Sequence, residues 1–275
     1  MKEKKKTGAW IRLIVFSFLA LILITILISG IRKGGMGIPF LSFSSFQYAN
    51  EEKYTVGDNS ITADQLKELD INWVSGSITV EAYDGNTIEV TETSDGDVSS
   101  DERVRSCYEN GVLTVQYRKS TFLLFGGTQS SGKKLHIRIP KTLAEGIQNL
   151  SVDSVSSENT ITGLSVKHCD MDTVSGDLTI DGDVRNLELD TVSGKCHLTS
   201  KVAPDNIDAD SVSGDVTLKI PGDSGFTAEQ DGVSSNFNSE FPTSLTDDNY
   251  VCGNGGTGKW EFDSVSGDVR IEKLN

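Results

Sequence analysis

Positive charge is scarce beyond the first 33 residues. The 275-residue chain has 25 Lys and Arg against 40 Asp and Glu. Residues 1–33 hold seven of the basic groups (Lys2, Lys4, Lys5, Lys6, Arg12, Arg32, Lys33) and one acid, Glu3, a net of 7 − 1 = +6. The remainder has 25 − 7 = 18 basic and 40 − 1 = 39 acidic groups, a net of −21. A globular part this acidic repels phosphate backbones, which argues against nucleic acid as a partner.

Catalytic apparatus is missing too. There is no G-x-S-x-G elbow for a serine nucleophile. Of the three histidines, His136 and His197 alternate with apolar residues and so face outward, and His168 sits at a strand start. None pairs in sequence with a plausible nucleophile, and the pattern reads them as surface histidines. The stretch Gly127–Lys134 nearly spells a phosphate loop, but Lys134 stands where a metal-binding hydroxyl is needed. Leu135–Ile139 alternates like a strand where that loop needs a helix. The chain therefore reads as not an enzyme, with no catalytic residue and no cofactor.

Cysteines number four. Cys169 falls in the same alternation column as Leu150 and Leu187, and Cys196 in that of Leu178 and Val216, so both read as small buried apolar residues. A Cys107–Cys252 bond is left open.

A signal-peptide cleavage site and a lipobox cysteine are absent around the one long apolar run, Leu13–Ile31. Its 19 uncharged residues suffice to cross the hydrocarbon core as a helix. Basic residues favour the N-terminal flank, so residues 1–12 are expected to be a cytoplasmic tail and the acidic part to lie outside the cell. Residues 32–60 read as a linker, opening on Gly34-Gly35 and carrying interface-type aromatics such as Phe40, Phe43 and Phe46.

What dominates residues 61–275 is an internal repeat. Val-Ser-Gly or Val-Ser-Ser recurs with its Val at 74, 155, 174, 192, 212, 233 and 265. Residues on either side alternate: Cys169/Met171, Leu187/Leu189, Ile207/Ala209 and Trp260/Phe262 before the motif, Leu178/Ile180, Val216/Leu218 and Val269/Ile271 after it. A period of two means strands with one buried face, and the central Gly marks a corner between them. One copy cannot bury its own apolar face, so copies must stack. The expected fold is all-β: a β-solenoid of single-stranded rungs, with hairpins from 86–140 at its N-terminal end and one transmembrane helix before it. The Val233 copy is degenerate, with Gln230 and Ser239 at inward positions, and an insertion near 240–258 follows it. The final copy, Trp260–Ile271, is expected to form an exposed C-terminal edge that could pair with another chain, although Asp268, Arg270, Glu272 and Lys273 put pair-blocking charge along it and favour a monomeric, laterally binding domain over self-assembly.

The run LDINWVSGSITV (69–80), then LHIRIPKTLAEGIQNLSVDSV (135–155), then the D-[ST]-V-S-G-D copies resembles a bacterial domain of unknown function labelled "putative adhesin". Its members include LiaG-like membrane-anchored proteins beside envelope-stress systems. The resemblance implies an extracytoplasmic β-solenoid, and a role in either surface binding or regulation of an envelope-stress sensor. The implied partner is a cell-envelope polymer or protein, with the membrane held through the N-terminal helix.

One column invites a ligand. The residue two before each Val is Asn72, Asp153, Asp172, Asp190, Asp210, Asp231 and Asp263. Rungs about 4.8 Å apart would leave each ionised pair repelling by roughly 3 kcal/mol at an effective dielectric near 20. Turn N–H groups accepted by Asp relieve such strain; so does a bridging cation. Asp153, Asp172, Asp190 and Asp210 are the weak metal candidates, although no calcium-repeat motif is present.

Overall fold

The structure is a computed structural model. It describes residues 45–46, 48–122, 132–246, 249–253, 255–256 and 258–274. The basic tail, the apolar run 13–31 and the first part of the linker lie outside those residues. Among the described residues no helix is long and apolar enough to cross a membrane.

The described chain is all-β, interrupted by a single α-helical turn, Lys141–Ala144. Each repeat is a rung with two legs joined at the Val-Ser-Gly corner. The legs of successive rungs pair in parallel and in register. Leu150 lies beside Leu69 and Val152 beside Ile71. Cys169 lies beside Leu187 and Met171 beside Leu189, followed by Ile207 and Ala209. All ten are buried, so the inward columns read from alternation are the core. Cys169 and Cys196 belong to it, and burial pushes both thiols up.

Corner glycines keep the stack tight. At Gly194 the backbone has φ +140°, and a Cβ there would lie 2.2 Å from the carbonyl oxygen of Gly176 in the rung below. Only a residue without a side chain fits both the conformation and the approach.

Chain order and stacking order part company at the C-terminal end. The strand Gly258–Ser266 pairs in parallel with Asn206–Ser213 on one side and with Phe226–Ser234 on the other. In the second leg, Val269–Leu274 lies between Val216–Pro221 and Phe237–Ser239. The last rung in sequence is thus inserted between the Val212 and Val233 rungs. Burial explains the swap. Trp260, Phe262, Val269 and Ile271 are buried and gain from neighbours on both sides. Gln230 and Ser239 lose least at an end, as capping repeats of solenoids do. The insertion then closes the stack: Thr243–Thr246 and Asn249–Cys252 form an antiparallel hairpin on Phe226–Glu229. Phe226 stacks on Trp260 with ring centroids 3.8 Å apart and meets Phe241 edge-on at 5.5 Å. This corrects the expectation that Trp260–Ile271 is the exposed edge.

The N-terminal end also departs from expectation. Val112–Gln116 and Lys134–Pro140 pair in parallel with the two legs of Glu68–Tyr83, so they form a further rung. Antiparallel strands Arg105–Glu109 and Ile88–Thr93 cover it. Thr55–Val56 and Asn59–Ile61, within the stretch read as linker, add the outermost strands. Lys133 supplies the corner of this extra rung and turns inward. Its ammonium, 1% exposed, pairs with buried Glu92 and donates to the carbonyls of Glu102 and Tyr117. It lies 4.0 Å over the Tyr117 ring and 5.0 Å from that of Trp73. A lysine from an apparent surface turn therefore plugs the core.

All four cysteines are free. Cys107 lies in the N-terminal cover and Cys252 in the C-terminal hairpin, at opposite ends of the stack, which excludes a bond between them within one chain.

Candidate functional site

The outer face of the first leg presents two acidic columns. Alternation sends Asp172 outward because Met171 and Thr173 point inward, and stacking then aligns it with its counterparts. Asp172 pairs in register with Asp190, Asp190 with Asp210, Asp210 with Asp263, and Asp263 with Asp231. Asp153 stands beside Asn72 at the other end. One alternation step back runs a second column, Asp170, Glu188, Asp208, Glu261 and Glu229, in the same register. The first column is half-buried between the second and the corner, save for Asp231 at its exposed end, and the second is exposed.

Crowding and burial push the protons onto this face. Burial raises Asp172 to about 8, helped by the charges of Asp170, Asp153 and Asp190. Asp210 rises to about 7 from burial first and then from Asp263, Asp190 and Asp208. Asp153 and Asp263 rise to about 6, again chiefly through burial. A protonated Asp172 donates to Asp153, which relieves one repulsive contact. The repulsion expected of the column is thus eased by carboxyl groups whose pKa is raised, chiefly through burial.

Backbone capping falls to a different aspartate, the one following the corner Gly. Asp177 accepts from the N–H of Lys195 at 2.8 Å, Asp215 from that of Asp268 at 3.1 Å, and Asp268 from that of Asn236 at 3.0 Å. Each ties one corner to the next rung in space. The chain Asp215, Asp268, Asn236 follows the swapped order.

The four metal candidates are brought into one file but not around one point. Asp153, Asp172, Asp190 and Asp210 project from successive rungs on one face of the sheet. Among the described residues no group of three or more His, Cys, Asp or Glu side chains is placed to hold a metal ion. The histidines stay apart: His136 pairs with Glu81 at 3.0 Å, while His168 and His197 are exposed on different legs.

Sequence reasoning passed over the second acidic column, although its signal was present. The residue between the two inward positions of each first leg is Asp170, Glu188, Asp208 or Glu261. It also passed over a buried hydroxyl column just before each Val: Ser154, Thr173, Thr191, Ser211 and Ser264. Ser154 donates to Thr173 at 3.0 Å, joining two rungs inside the corner.

In-register Val-Ser-Gly corners, two-legged rungs and serial acidic caps define the domain, and the family model agrees over residues 41–272. The chain belongs to the Toastrack DUF4097 family. The chain is similar to several solved structures. A "putative cell adhesion protein" from Clostridium sporogenes aligns with a TM-score of 0.52 at 9% identity, covering 81% of this chain and 100% of that one. "Putative adhesins" from Bacteroides fragilis and Parabacteroides distasonis align with TM-scores of 0.39 and 0.31, at 11% and 16% identity. Each of these two alignments covers 80% of this chain and 97% of the other. At such identities the first match speaks for the fold. No curated protein matches the chain.

Proposed function

We propose that this protein is a non-catalytic, membrane-tethered binding domain, held outside the cell by the 13–31 helix, that docks a cationic partner of the cell envelope on its double acidic column. The observation that carries the reading is the register of that face. Acidic groups recur rung after rung at a spacing of about 4.8 Å on a rigid sheet. Such a surface suits a repeating or extended cationic partner, a basic wall polymer or a basic protein segment, and its even spacing does not converge on a reacting atom. The names of the Clostridium and Bacteroides neighbours are in keeping with surface attachment.

Retention of the isolated domain 51–275 on envelope preparations tests this. Glu188→Gln, Asp208→Asn and Glu261→Gln together remove three exposed charges from the second column. Retention is expected to fall at least about tenfold and to lose its salt dependence. A charge-matched control, Glu52→Gln with Asp64→Asn and Glu145→Gln, is expected to bind like wild type. Equal loss in both variants would leave only a non-specific charge effect. Topology is checked separately: protease added to intact protoplasts is expected to digest the domain. If a chain reduced to its anchor keeps the cellular phenotype, the regulatory reading replaces the binding one.

A further inference from the structure

The outer face of the first leg carries a groove beside its acidic columns. The groove crosses the rungs in two stretches, of about 300 and 730 Å³, that meet at Asn206 and Asp208. One wall is the exposed acidic column, from Asp170 through Glu188, Asp208 and Glu261 to Glu229. The other wall lies one alternation step further back. It is a column of uncharged and basic side chains in the same register: His168, Asn186, Asn206, Lys259 and Thr227. Asn149 lines the same groove next to His168.

Successive rungs thus repeat one pair of groups across the groove. Asn186 is set against Glu188, and Asn206 against Asp208. The asparagines are aligned by their own bonds. Asn206 Nδ2 donates to Asn186 Oδ1 at 2.7 Å, and Asn186 Nδ2 donates to the carbonyl of Lys167 at 2.9 Å. Each amide uses one N–H in this file and keeps a second. Apolar side chains contribute little surface: Leu150, Cys169, Leu187, Ile207 and Trp260 lie along the groove at 2% exposure or less.

This lining discriminates among cationic partners. A basic helix docks through an apolar stripe, and the groove offers no exposed apolar surface to receive one. An extended basic peptide turns a side chain to one face at every second residue, about 6.6 Å apart. It falls out of step with rungs about 4.8 Å apart. A chain of amino sugars repeats its polar groups at every ring. Its ammonium groups pair with the carboxylate wall, and its hydroxyls, which both donate and accept, satisfy an amide and a carboxylate together. Wall polymers joined by phosphate are repelled by the same carboxylates. We propose that the groove binds an extended glycan with free amino groups, laid along the stack with its ammonium groups on the acidic wall and its hydroxyls bridging to the asparagine wall. This rests on the docking of a cationic partner proposed above and narrows that partner to a sugar polymer.

Binding of defined probes to the whole chain in detergent tests the assignment. A soluble chitosan oligomer, a chain of glucosamine units with free amines, is expected to bind. A chitin oligomer of the same length lacks the ammonium groups and is expected to bind at least about tenfold more weakly. Asn186→Ala with Asn206→Ala is expected to weaken chitosan binding about tenfold, while polylysine, which needs only the acidic wall, binds as it does to wild type. Should the double variant lower the melting temperature, Asn206→Ser alone replaces it, with the same selective loss of chitosan expected. Binding of polylysine without chitosan, equal binding of the chitosan and chitin oligomers, or equal loss of chitosan and polylysine in the asparagine variant overturns the proposal. Each of these leaves the docking of a cationic partner in place. Failure of both chitosan and polylysine to bind wild type overturns that reading as well.

Discussion

The aspartates on the two sides of each Val-Ser-Gly corner differ in what surrounds them. Asp172 precedes its corner and sits in a file of like groups, half-buried, with its proton shared and its pKa raised to about 8. Asp177 follows the same corner, points to the next rung and accepts a backbone N–H at 2.8 Å. The corner file stabilises the stack through charge-assisted hydrogen bonds. The leg file is strained by its own regularity and held by rungs whose register is set elsewhere. A repeated acidic residue is thus no single signal; its meaning depends on whether the neighbouring rung offers it an N–H or another carboxylate.

The sharpest way to break the contrast is to damage the corner itself. Gly194→Val places a Cβ against the Gly176 carbonyl in a left-handed conformation, and is expected to cost about 3 kcal/mol or more in urea unfolding. Thr179→Val, on the exposed face of the second leg, serves as its control and is expected to change stability by under about 0.5 kcal/mol. Equal losses would show that the corner is not special.

Removing one cap should cost less. Asp177→Ala leaves the Lys195 N–H to water and is expected to destabilise by about 1–2 kcal/mol in the same assay. Asp177→Asn keeps an acceptor and should recover part of the loss. No difference between Ala and Asn would mean that the 2.8 Å contact contributes nothing.

On the leg, the sign reverses. Asp172 ionises near the ordinary carboxylate range when unfolded and only near 8 when folded. The folded state therefore holds more protons between those limits, and stability falls as pH rises from about 4 to about 8. Asp172→Asn removes that dependence. It is expected to raise the melting temperature at pH 8.5, by the equivalent of under about 1 kcal/mol because the site is partly solvated, and to change little at pH 5. A lower melting temperature at pH 8.5 would contradict the repulsive ladder. Calcium should do least of all: titration against a chelator is expected to leave the melting temperature in place, and a rise with log concentration would reveal a cation site in the file.

Much of this architecture is legible in local pattern. Alternation marked Cys169/Met171 and Leu187/Leu189 as inward and the Asp column as outward, and the structure places them so. The corner glycines were legible because a sharp turn and close stacking leave no room for Cβ. Lys133 was not: an ammonium next to Gly132 looks solvated, and only the ring faces of Trp73 and Tyr117 with buried Glu92 make its interior position tolerable. The second acidic column was visible once the alternation used for inward residues was followed to the residues between them.

The sequence by itself determined which side chains of a rung face in, where it bends and how acidic its outer face is. These follow from the two-residue period of a strand and the lack of a side chain on glycine, both of which act within a few residues. Only the tertiary structure decided which rungs are neighbours. Every corner presents nearly the same backbone hydrogen bonds, so backbone pairing cannot tell the Val233 rung from the Val265 rung. Burial of Trp260 and Phe262 between two faces, with Gln230 left at the end, breaks that tie across the chain, and it sends the last rung inside and the insertion to the tip.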